Sequence, residues 1–315
     1  MRYVRLGKTE VQVSALGFGC MSVTPEGAEA GKAAVKRALE LGITLFDTAD
    51  IYSQGQSERI LGAALREAGV ARESVVISDK CGIIFQGSNP AYEYKAYDLS
   101  SAYIKSSCEA ALQRLGVDYI DLYQPHRIDY LTHPEEIGRA LEDLKSEGKI
   151  RHAGVSNYTA DEIRALSAYV RLESLQTHYN LLFLEPLETG LVAVTQERQM
   201  AILCWSPLQQ GVLTGKVPGA HANWQEQRED GVVAQLRVFA EAYGVTPAQL
   251  ALAWLLQQPG PVIPLVGTGN AEHVTEAVAA ADLQLERDDW YEMLVIGRGR
   301  PMPWCQRPYV YTKER

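Results

Sequence analysis

The chain has 315 residues, 46% of them hydrophobic, and a formal net charge of −9 at pH 7. This length is long for an ordinary single domain but normal for one α/β barrel, and the apolar content suffices for a large core. The acidic balance and the lack of any Lys- and Arg-rich stretch argue against nucleic acid or an anionic membrane surface as the main partner.

The N-terminus and the cysteines predict a cytoplasmic protein. Residues 1–8 contain no apolar run typical of a signal peptide, and apolar runs such as residues 250–256 are too short to span a bilayer. The 5 cysteines form neither a C-x-x-C motif nor a Cys/His cluster, which disfavours a disulfide framework and a zinc site. We therefore expect a reducing compartment, the cytoplasm.

Short apolar runs alternate along the chain with amphipathic segments of helical period. The predicted strands are Ala15–Gly19, Ile43–Asp47, Ser74–Lys80, Tyr119–Pro125, Ile150–Val155, Ser174–Thr177, Ala201–Trp205 and Val262–Val266. The predicted helices are Ala28–Leu41, Ser57–Ala68, Leu99–Leu115, Pro134–Ser146, Ala160–Leu166, Leu187–Arg198, Pro247–Gln257 and Asn270–Ala280. Continuous apolar strands alternating with helices indicate parallel pairing through crossover helices. The pattern therefore predicts that residues 1–315 form a single closed (β/α)₈ TIM barrel rather than an open doubly wound sheet.

Four segments lie outside these alternating units. Residues 1–14 contain two short apolar runs around a Gly-Lys-Thr-Glu turn, and we predict a β-hairpin that caps the bottom of the barrel. Residues 82–98, 209–231 and 297–315 fit no barrel element. Because long loops in compact domains tend to be functional, we predict that these three segments line a substrate pocket at the catalytic face. Their aromatic residues are Tyr92, Tyr94, Tyr97, Trp224, Trp304, Tyr309 and Tyr311.

Titratable residues stand at the ends of three successive predicted strands. Asp47 ends the second strand and Tyr52 follows in the next loop, while Lys80 ends the third strand and His126 follows the fourth. Each residue alone has a plain structural reading: a turn cap, a half-buried tyrosine, a solvated lysine and a structural histidine. The joint pattern is more specific, because barrel enzymes assemble their active sites from the ends of several strands.

These four side chains suit the reduction of a carbonyl group. Hydride arriving at carbon develops negative charge on oxygen, which a positioned acid must protonate. A free tyrosine, with a pKa of ~10, is a weak acid for this purpose, but Lys80 would lower the pKa of Tyr52. Asp47 would hold Lys80 by a charge-assisted hydrogen bond, and His126 would donate a hydrogen bond to the carbonyl oxygen.

Over nearly its whole length the chain resembles the aldo-keto reductases. The resemblance implies that Tyr52 is the general acid, assisted by Asp47, Lys80 and His126, in a sequential mechanism with a nicotinamide cofactor bound first. The predicted substrate is an aldehyde, ketone or quinone. The matching motifs come in the family's order: Phe46-Asp47-Thr48-Ala49-Asp50-Ile51-Tyr52, Ser78-Asp79-Lys80-Cys81-Gly82, Gln124-Pro125-His126-Arg127, Gly154-Val155-Ser156-Asn157-Tyr158, Trp205-Ser206-Pro207-Leu208 and Val266-Gly267-Thr268.

The resemblance also implies contacts to the nicotinamide. Ser156, Asn157 and Gln176 match residues that hydrogen-bond the carboxamide, a ligand that needs donors and acceptors. Trp205 falls where an aromatic side chain stacks on the nicotinamide ring. Two structural alternatives stay open: Ser156 and Asn157 as a helix cap, and Trp205 as a core residue.

The predicted phosphate contacts follow the seventh strand. Ser206, Leu208 and Gly211 match the loop that follows the pyrophosphate. That loop has no basic residue of its own, and Lys216 is close enough in sequence to supply a positive charge. A solvated loop lysine is the alternative for Lys216.

The predicted adenosine contacts follow the last strand and include Gly267, Thr268, Gly269 and His273. Family members that use NADPH present cations to the 2′-phosphate here, yet residues 267–274 contain no Lys or Arg. Helix-start amides also bind phosphate, and His273 stands where an arginine is common in the family. We therefore expect NADP(H) as the cofactor, with weakened discrimination against NAD(H).

Two other functions stay open from the sequence. A regulatory subunit on the same barrel, similar to the β subunits of potassium channels, would keep the cofactor site and turn over slowly. A metal hydrolase would use Asp47, Asp50 and His126, but it lacks further ligands, and Lys80 would repel the metal.

Overall fold

The computed structural model describes residues 1–85, 94–215 and 224–302, with the backbone alone for 224–230. Strands β1 (Tyr3–Arg5) and β2 (Gln12–Ser14) pair antiparallel, so the predicted N-terminal hairpin is present. Leu6 and Val13 in this hairpin are fully buried among side chains of the barrel interior. The hairpin therefore caps one end of the barrel.

A closed barrel of eight parallel strands forms the centre of the molecule, as predicted. Its order around the barrel is β3-β4-β5-β8-β9-β10-β11-β12, whereas β6 and β7 form a separate antiparallel hairpin. The ends of the eight barrel strands differ from the predicted ends by no more than two residues. The strands after the first hairpin are β3 (Gly17–Gly19), β4 (Leu45–Asp47), β5 (Val76–Cys81), β6 (Ile83–Ile84), β7 (Ala96–Tyr97), β8 (Ile120–Pro125), β9 (Ile150–Ser156), β10 (Leu172–His178), β11 (Ala201–Trp205) and β12 (Val262–Val266).

The helices surround the barrel and begin where the sequence supplies caps. Thr159 and Thr246 each form a complete capping box with a Glu or Gln three residues later. In the described ranges no helix is both long and apolar enough to cross a membrane. The helices are α1 (Ala28–Glu40), α2 (Gln56–Glu67), α3 (Ser101–Leu115), α4 (Pro134–Ser146), α5 (Ala160–Leu166), α6 (Glu185–Glu188), α7 (Leu191–Arg198), α8 (Trp224–Tyr243), α9 (Pro247–Leu256), α10 (Ala271–Val278) and α11 (Arg287–Arg298).

Several predicted boundaries were wrong. The predicted helix Leu187–Arg198 is broken into α6 and α7 at Gly190, whose φ of 82° belongs to the left-handed region. Helices α8 and α11 were not predicted, although α8 buries Val232, Leu236 and Phe239 on one helical face.

The three predicted pocket segments are corrected in part. Residues 82–98 contain the β6–β7 hairpin, and residues 224–231 begin α8 rather than continuing a loop. Residues 297 and 298 end α11. The rest of these segments, with Tyr92, Trp304, Tyr309 and Tyr311, lies outside the described residues, as does the side chain of Trp224.

The barrel interior changes from apolar to polar along its axis. Near the hairpin it is filled by aliphatic side chains such as Leu45, Leu122 and Ile263. Toward the carboxyl ends of the strands, the buried side chains are Asp47, Ser78, Lys80, Gln124 and Gln176. Burial of charged and polar groups is costly unless they are paired. Because (β/α)₈ enzymes carry their active sites at the carboxyl ends of the strands, this end of the barrel is the candidate active site.

Candidate active site

Asp47 and Lys80 form a buried ion pair at the carboxyl ends of the neighbouring strands β4 and β5. Lys80 Nζ lies 2.8 Å from each carboxylate oxygen of Asp47 and 2.5 Å from the carbonyl oxygen of Thr48. Lys80 is 1% exposed and Asp47 is 2% exposed. These acceptors fix the direction of the lysine side chain, whose ammonium also interacts with the Tyr52 hydroxyl.

Tyr52 stands over this ion pair in a tight turn after β4. The turn is held by a hydrogen bond from Tyr52 N to Ala49 O (3.1 Å), and Ser53 and Gln54 take left-handed φ values of 48° and 54°. Lys80 Nζ lies 5.1 Å from the centre of the Tyr52 ring. Left-handed backbone at non-glycine residues is costly and concentrates at functional sites.

The charges of the pair set the protonation of their neighbours. Burial would lower the pKa of Lys80, but the Asp47 carboxylate outweighs it and raises that pKa above its ordinary value. Burial also raises the pKa of Tyr52, and the opposing effect of Lys80 does not cancel it. Lys80 thus lowers the pKa of Tyr52 as expected, but burial of the phenol outweighs this effect and Asp47 adds to the rise, so the net shift is upward.

His126 faces Tyr52 from the end of β8. The two ring centres are 6.0 Å apart at an interplanar angle of 80°, and His126 N donates to Cys81 O (2.8 Å). Burial, together with the nearby charges of Lys80, Arg127 and Lys95, holds the pKa of His126 well below its usual range. The imidazole is therefore neutral at physiological pH, with one N–H to donate.

A network of polar side chains supports Asp47 from inside the barrel. Ser78 Oγ donates to Asp47 Oδ1, and Gln176 Nε2 donates to Asp47 Oδ2, both at 2.9 Å. Gln124 Nε2 lies 3.0 Å from both Ser78 Oγ and Gln176 Oε1. Gln176, predicted as a nicotinamide contact, is 1% exposed and uses both ends of its amide within this network.

The other predicted nicotinamide contacts meet beside this group. Asn157, in a left-handed conformation with φ 59°, donates to Ser156 Oγ (2.8 Å) and to His126 O (3.1 Å). Trp205 Nε1 donates to Asn157 Oδ1 at 3.0 Å. A series of hydrogen bonds through Asn157 therefore connects Trp205, at the end of β11, to the backbone of His126.

Trp205 belongs to a stack of three rings. His178 lies against one face of the indole, with ring centres 4.2 Å apart and planes at 11°, and Phe183 covers the other face of His178 at 4.0 Å. Trp205 is only partly buried, and its second face has no aromatic neighbour in the described part of the chain. That open face suits a planar ring such as nicotinamide.

The loop predicted to follow the pyrophosphate has unusual backbone geometry. Ser206, Gln209 and Gln210 take φ values of 49°, 49° and 51°, and Gly211 takes 96°. The buried side chain of Asn180 holds the loop by donating to Ser206 O (2.9 Å) and Gln209 Oε1 (2.8 Å). Backbone N–H groups in such turns form concave sites for anions. Leu208 is half-buried here, and Lys216 lies outside the described residues.

The predicted adenosine segment links β12 to α10. Gly267 is exposed and approaches Gly19 at the end of β3, and nothing lies within 4 Å of the position where Gly269 would carry a Cβ. Thr268 Oγ1 lies 3.2 Å from Nδ1 of the exposed His273. Asn270 caps α10 by accepting from Glu272 N. The predicted site residues that the structure describes are thus placed around one end of the barrel, at strand ends and on the loops that follow them.

The sequence prediction missed residues that share a strand face with those it selected. Successive side chains of a strand alternate between its two faces, so Ser78 shares its face with Lys80, Gln124 with His126, and His178 with Gln176. Examining the residue two positions before or after each predicted residue would have identified them.

The alternative metal site has no support in the described ranges. No group of three His, Cys, Asp or Glu side chains lies there in an arrangement that could hold a metal ion. Asp50 instead accepts from Ser107 Oγ at 3.1 Å, and Asp47 is paired with Lys80.

Comparisons with known proteins show to which family the chain belongs. The model of the Aldo/keto reductase family matches residues 15–295. The chain is 34% identical over 309 residues to the 6-dehydroglucose reductase of Novosphingobium aromaticivorans, covering 95% of this chain and 96% of that protein. It is 35% identical over 317 residues to the NADH-specific methylglyoxal reductase of Escherichia coli, covering 92% and 96%.

Solved structures show the same fold. An aldo-keto reductase from Bacillus halodurans, in its holo form, superposes with a TM-score of 0.80 and 29% identity, covering 93% of this chain and 95% of that one. A glycerol dehydrogenase from Gluconobacter oxydans superposes with a TM-score of 0.83 at 24% identity, covering 97% and 99%. Because sequence and fold match along almost the whole length, we conclude that the chain belongs to the aldo/keto reductase family and is an NAD(P)H-dependent oxidoreductase.

Proposed function

We propose that the enzyme reduces an aldehyde or ketone to an alcohol, with Tyr52 as the general acid. The observation that carries this proposal is the convergence of Tyr52 and His126 above the buried Asp47–Lys80 pair. A bound nicotinamide cofactor supplies the hydride. The side chains of the enzyme orient the carbonyl, exclude water and deliver the proton.

The proton comes from the Tyr52 hydroxyl as negative charge develops on the carbonyl oxygen. The Tyr52 hydroxyl is protonated at neutral pH, but burial raises its pKa and makes it a weaker acid, so donation depends on stabilising the phenolate that forms. Lys80, held by both oxygens of Asp47, stabilises the phenolate that remains. Neutral His126 donates its one N–H to the same oxygen and fixes its direction.

Substitution of Tyr52 by Phe tests this assignment. Tyr52→Phe removes the acidic hydroxyl and keeps the ring, so we expect kcat to fall about 100-fold or more with cofactor affinity nearly unchanged. The matched control is Tyr169→Phe, a partly exposed ring that packs on His133. Turnover by Tyr52→Phe at the wild-type rate would refute the role of Tyr52.

We also propose that the enzyme accepts both NADPH and NADH. No Lys or Arg occurs in residues 267–274, nothing lies within 4 Å of a Cβ added at Gly269, and Asn270 already caps the helix start. The Escherichia coli relative is named as an NADH-specific reductase. A 2′-phosphate normally recruits Arg or Lys. The lack of both residue types in this segment therefore weakens the preference for NADPH.

The cofactor proposal is tested by the two kcat/KM values measured with the same substrate. We expect them to lie within about tenfold of each other, which corresponds to ~1.4 kcal/mol. A preference for NADPH of 100-fold would show that another group recognises the phosphate.

The substrate can be identified by measuring the oxidation of NADPH and of NADH in the presence of a panel of carbonyl compounds. The relatives are named for 6-dehydroglucose and methylglyoxal, while the exposed rings of Tyr94 and Tyr97 suit aromatic aldehydes, ketones and quinones. We propose that these rings form walls of the substrate pocket. The panel therefore includes both small or sugar-like carbonyl compounds and aromatic aldehydes, ketones and quinones. Binding of cofactor with no turnover on any member would favour the regulatory-subunit alternative.

A further inference from the structure

Three acidic side chains lie together behind Lys80, outside the barrel wall. Asp79 precedes Lys80 on β5 and points to the opposite face of the strand, toward α2 and α3. Asp79 and Glu58 are both 0% exposed, and Asp50 has a buried carboxylate oxygen. None of these carboxyl groups takes part in the chemistry proposed above.

An arginine pairs directly with one of these carboxylates. Arg114 on α3 binds Glu58 through two parallel hydrogen bonds, Nε to Oε2 at 2.5 Å and Nη2 to Oε1 at 2.9 Å. Such a planar, two-point contact is the strongest form of carboxylate pairing. Burial raises the pKa of Glu58, but the bonds from Arg114 oppose this effect and favour the ionised form of Glu58 over that of Asp79.

Asp79 has no cation of its own. Its Oδ1 accepts from Lys80 N at 2.8 Å, but its Oδ2 is buried without a donor, and its carboxyl group contacts that of Glu58. The Lys80 ammonium is already paired with Asp47. Two carboxyl groups in contact in a dry site do not both ionise, so one proton must lie between them.

The surrounding charges favour Asp79 as the holder of that proton. Burial and the Glu58 charge raise the pKa of Asp79 well above its usual range, and the Lys80 N–H and ammonium oppose them without prevailing. The titratable groups that interact electrostatically with Asp79 are Glu58, Asp50, Lys80, Arg114, Cys20, Cys81, Cys108 and Tyr123.

We propose that Asp79 is a neutral carboxylic acid in the folded enzyme, donates its proton from Oδ2 to Glu58, and acts as a positioning residue for Lys80. Its Oδ1 holds the Lys80 N–H, while the Lys80 carbonyl accepts from Asp50 N at 3.2 Å, so the peptide of Lys80 is fixed on both sides. A neutral Asp79 does this without a second negative charge to compete with Asp47 for the ammonium. The catalytic part of this inference rests on the proposed role of Lys80.

The proton is taken up on folding, which makes it measurable. An unfolded aspartate loses its proton at a pKa of ~3.9, whereas folded Asp79 keeps it, so its contribution to stability falls as pH rises from about 4 to the raised pKa. Asp79→Asn keeps the shape and an N–H donor toward Glu58 but needs no proton. We therefore expect the unfolding constant of the wild type, divided by that of Asp79→Asn, to rise about tenfold per pH unit from about pH 5 up to the raised pKa of Asp79.

The matched control is Asp288→Asn, an exposed aspartate in the first turn of α11. Its stability curve should run parallel to that of the wild type over the same pH range. A parallel curve for Asp79→Asn as well would overturn the proposal, because it would show that folding leaves Asp79 ionised.

Activity separates positioning from simple packing. We expect Asp79→Leu, which removes the acceptor for Lys80 N, to lower kcat at least tenfold with little change in the KM for cofactor. Asp79→Asn, which restores an acceptor and a donor, should recover most of that loss and should extend activity to higher pH. An equal loss in both variants would overturn the positioning role. The stability measurement needs no turnover, so it stands even where the assignment of Tyr52 fails.

Discussion

Lys80 is a lysine almost completely removed from water, and the surrounding groups explain why it stays charged. Its ammonium meets two oxygens of Asp47 and the carbonyl of Thr48. Removing one partner of a buried ion pair costs about 3–5 kcal/mol, because the other charge stays buried. Lys80→Met would therefore destabilise Asp47 as well as slow the reaction, so loss of activity in that variant is weaker evidence for chemistry than loss in Tyr52→Phe.

Asp50 gives the pH dependence that is easiest to measure at the scale of single residues. Burial, followed by the Glu58 charge, raises the pKa of Asp50 to about 7, and the bond from Ser107 only partly offsets this. Because the folded pKa lies above the unfolded value of ~3.9, wild-type stability relative to Asp50→Asn should fall from pH 4 to pH 7 and stay constant above pH 7. Chemical denaturation at several pH values measures the difference, expected to reach about 2–4 kcal/mol.

A constant difference between wild type and Asp50→Asn across pH 4–8 would contradict this expectation.

At the scale of elements, α2 and α3 pack with their backbones in close approach. A Cβ on Gly62 of α2 would lie 2.0 Å from the carbonyl oxygen of Leu115, at the end of α3. The same pair of helices carries Glu58 and Arg114. The absence of a side chain at Gly62 therefore brings the buried carboxylate and its arginine within bonding distance.

Substitution of two helical glycines by alanine tests this packing. We expect Gly62→Ala to destabilise the fold by about 1–3 kcal/mol, since the added methyl group meets backbone rather than a flexible side chain. The matched control is Gly231→Ala in α8, where nothing lies within 4 Å of the new Cβ. That variant should gain about 0.5–1 kcal/mol from helix propensity. Thermal and urea unfolding measure both, and equal effects would show that α2 and α3 move apart freely.

At the scale of the whole molecule, the barrel separates stability from chemistry along its axis. The hairpin and the aliphatic side chains around Leu6 close one end, and the polar network around Asp47 opens at the other. Division of this kind is a general property of (β/α)₈ enzymes. Changes at the capped end should therefore alter folding without altering turnover by the folded enzyme.

Leu6→Ala tests that separation. The fully buried Leu6 side chain fills the capped end, and its truncation should cost about 2–5 kcal/mol through lost burial and the cavity left behind. We expect kcat at 25 °C to stay within about twofold, because the folded population remains dominant in a domain of ordinary stability. A large fall in kcat, with the fold shown intact by circular dichroism, would mean that the two ends are coupled.

The fold was largely predictable from the sequence, because its signals are local. Strands such as Val262–Val266 are short apolar runs between turn residues, and helices such as Pro134–Ser146 show a clear apolar stripe. Helix α8 was missed because part of it lies in segment 209–231, which fitted no barrel element and was therefore predicted to be a long loop. The break between α6 and α7 depends on one left-handed glycine.

By itself, the sequence determined the alternation of strands and helices, the family and the strand ends at which polar residues stand, since each depends on neighbours along the chain. Only the tertiary structure decided how those residues are charged. Gln176 reaches Asp47 across 129 positions, and burial outweighs Lys80 in setting the pKa of Tyr52. The electrostatic state of a buried group depends on everything that surrounds it in space, and most of those neighbours here lie far away in sequence.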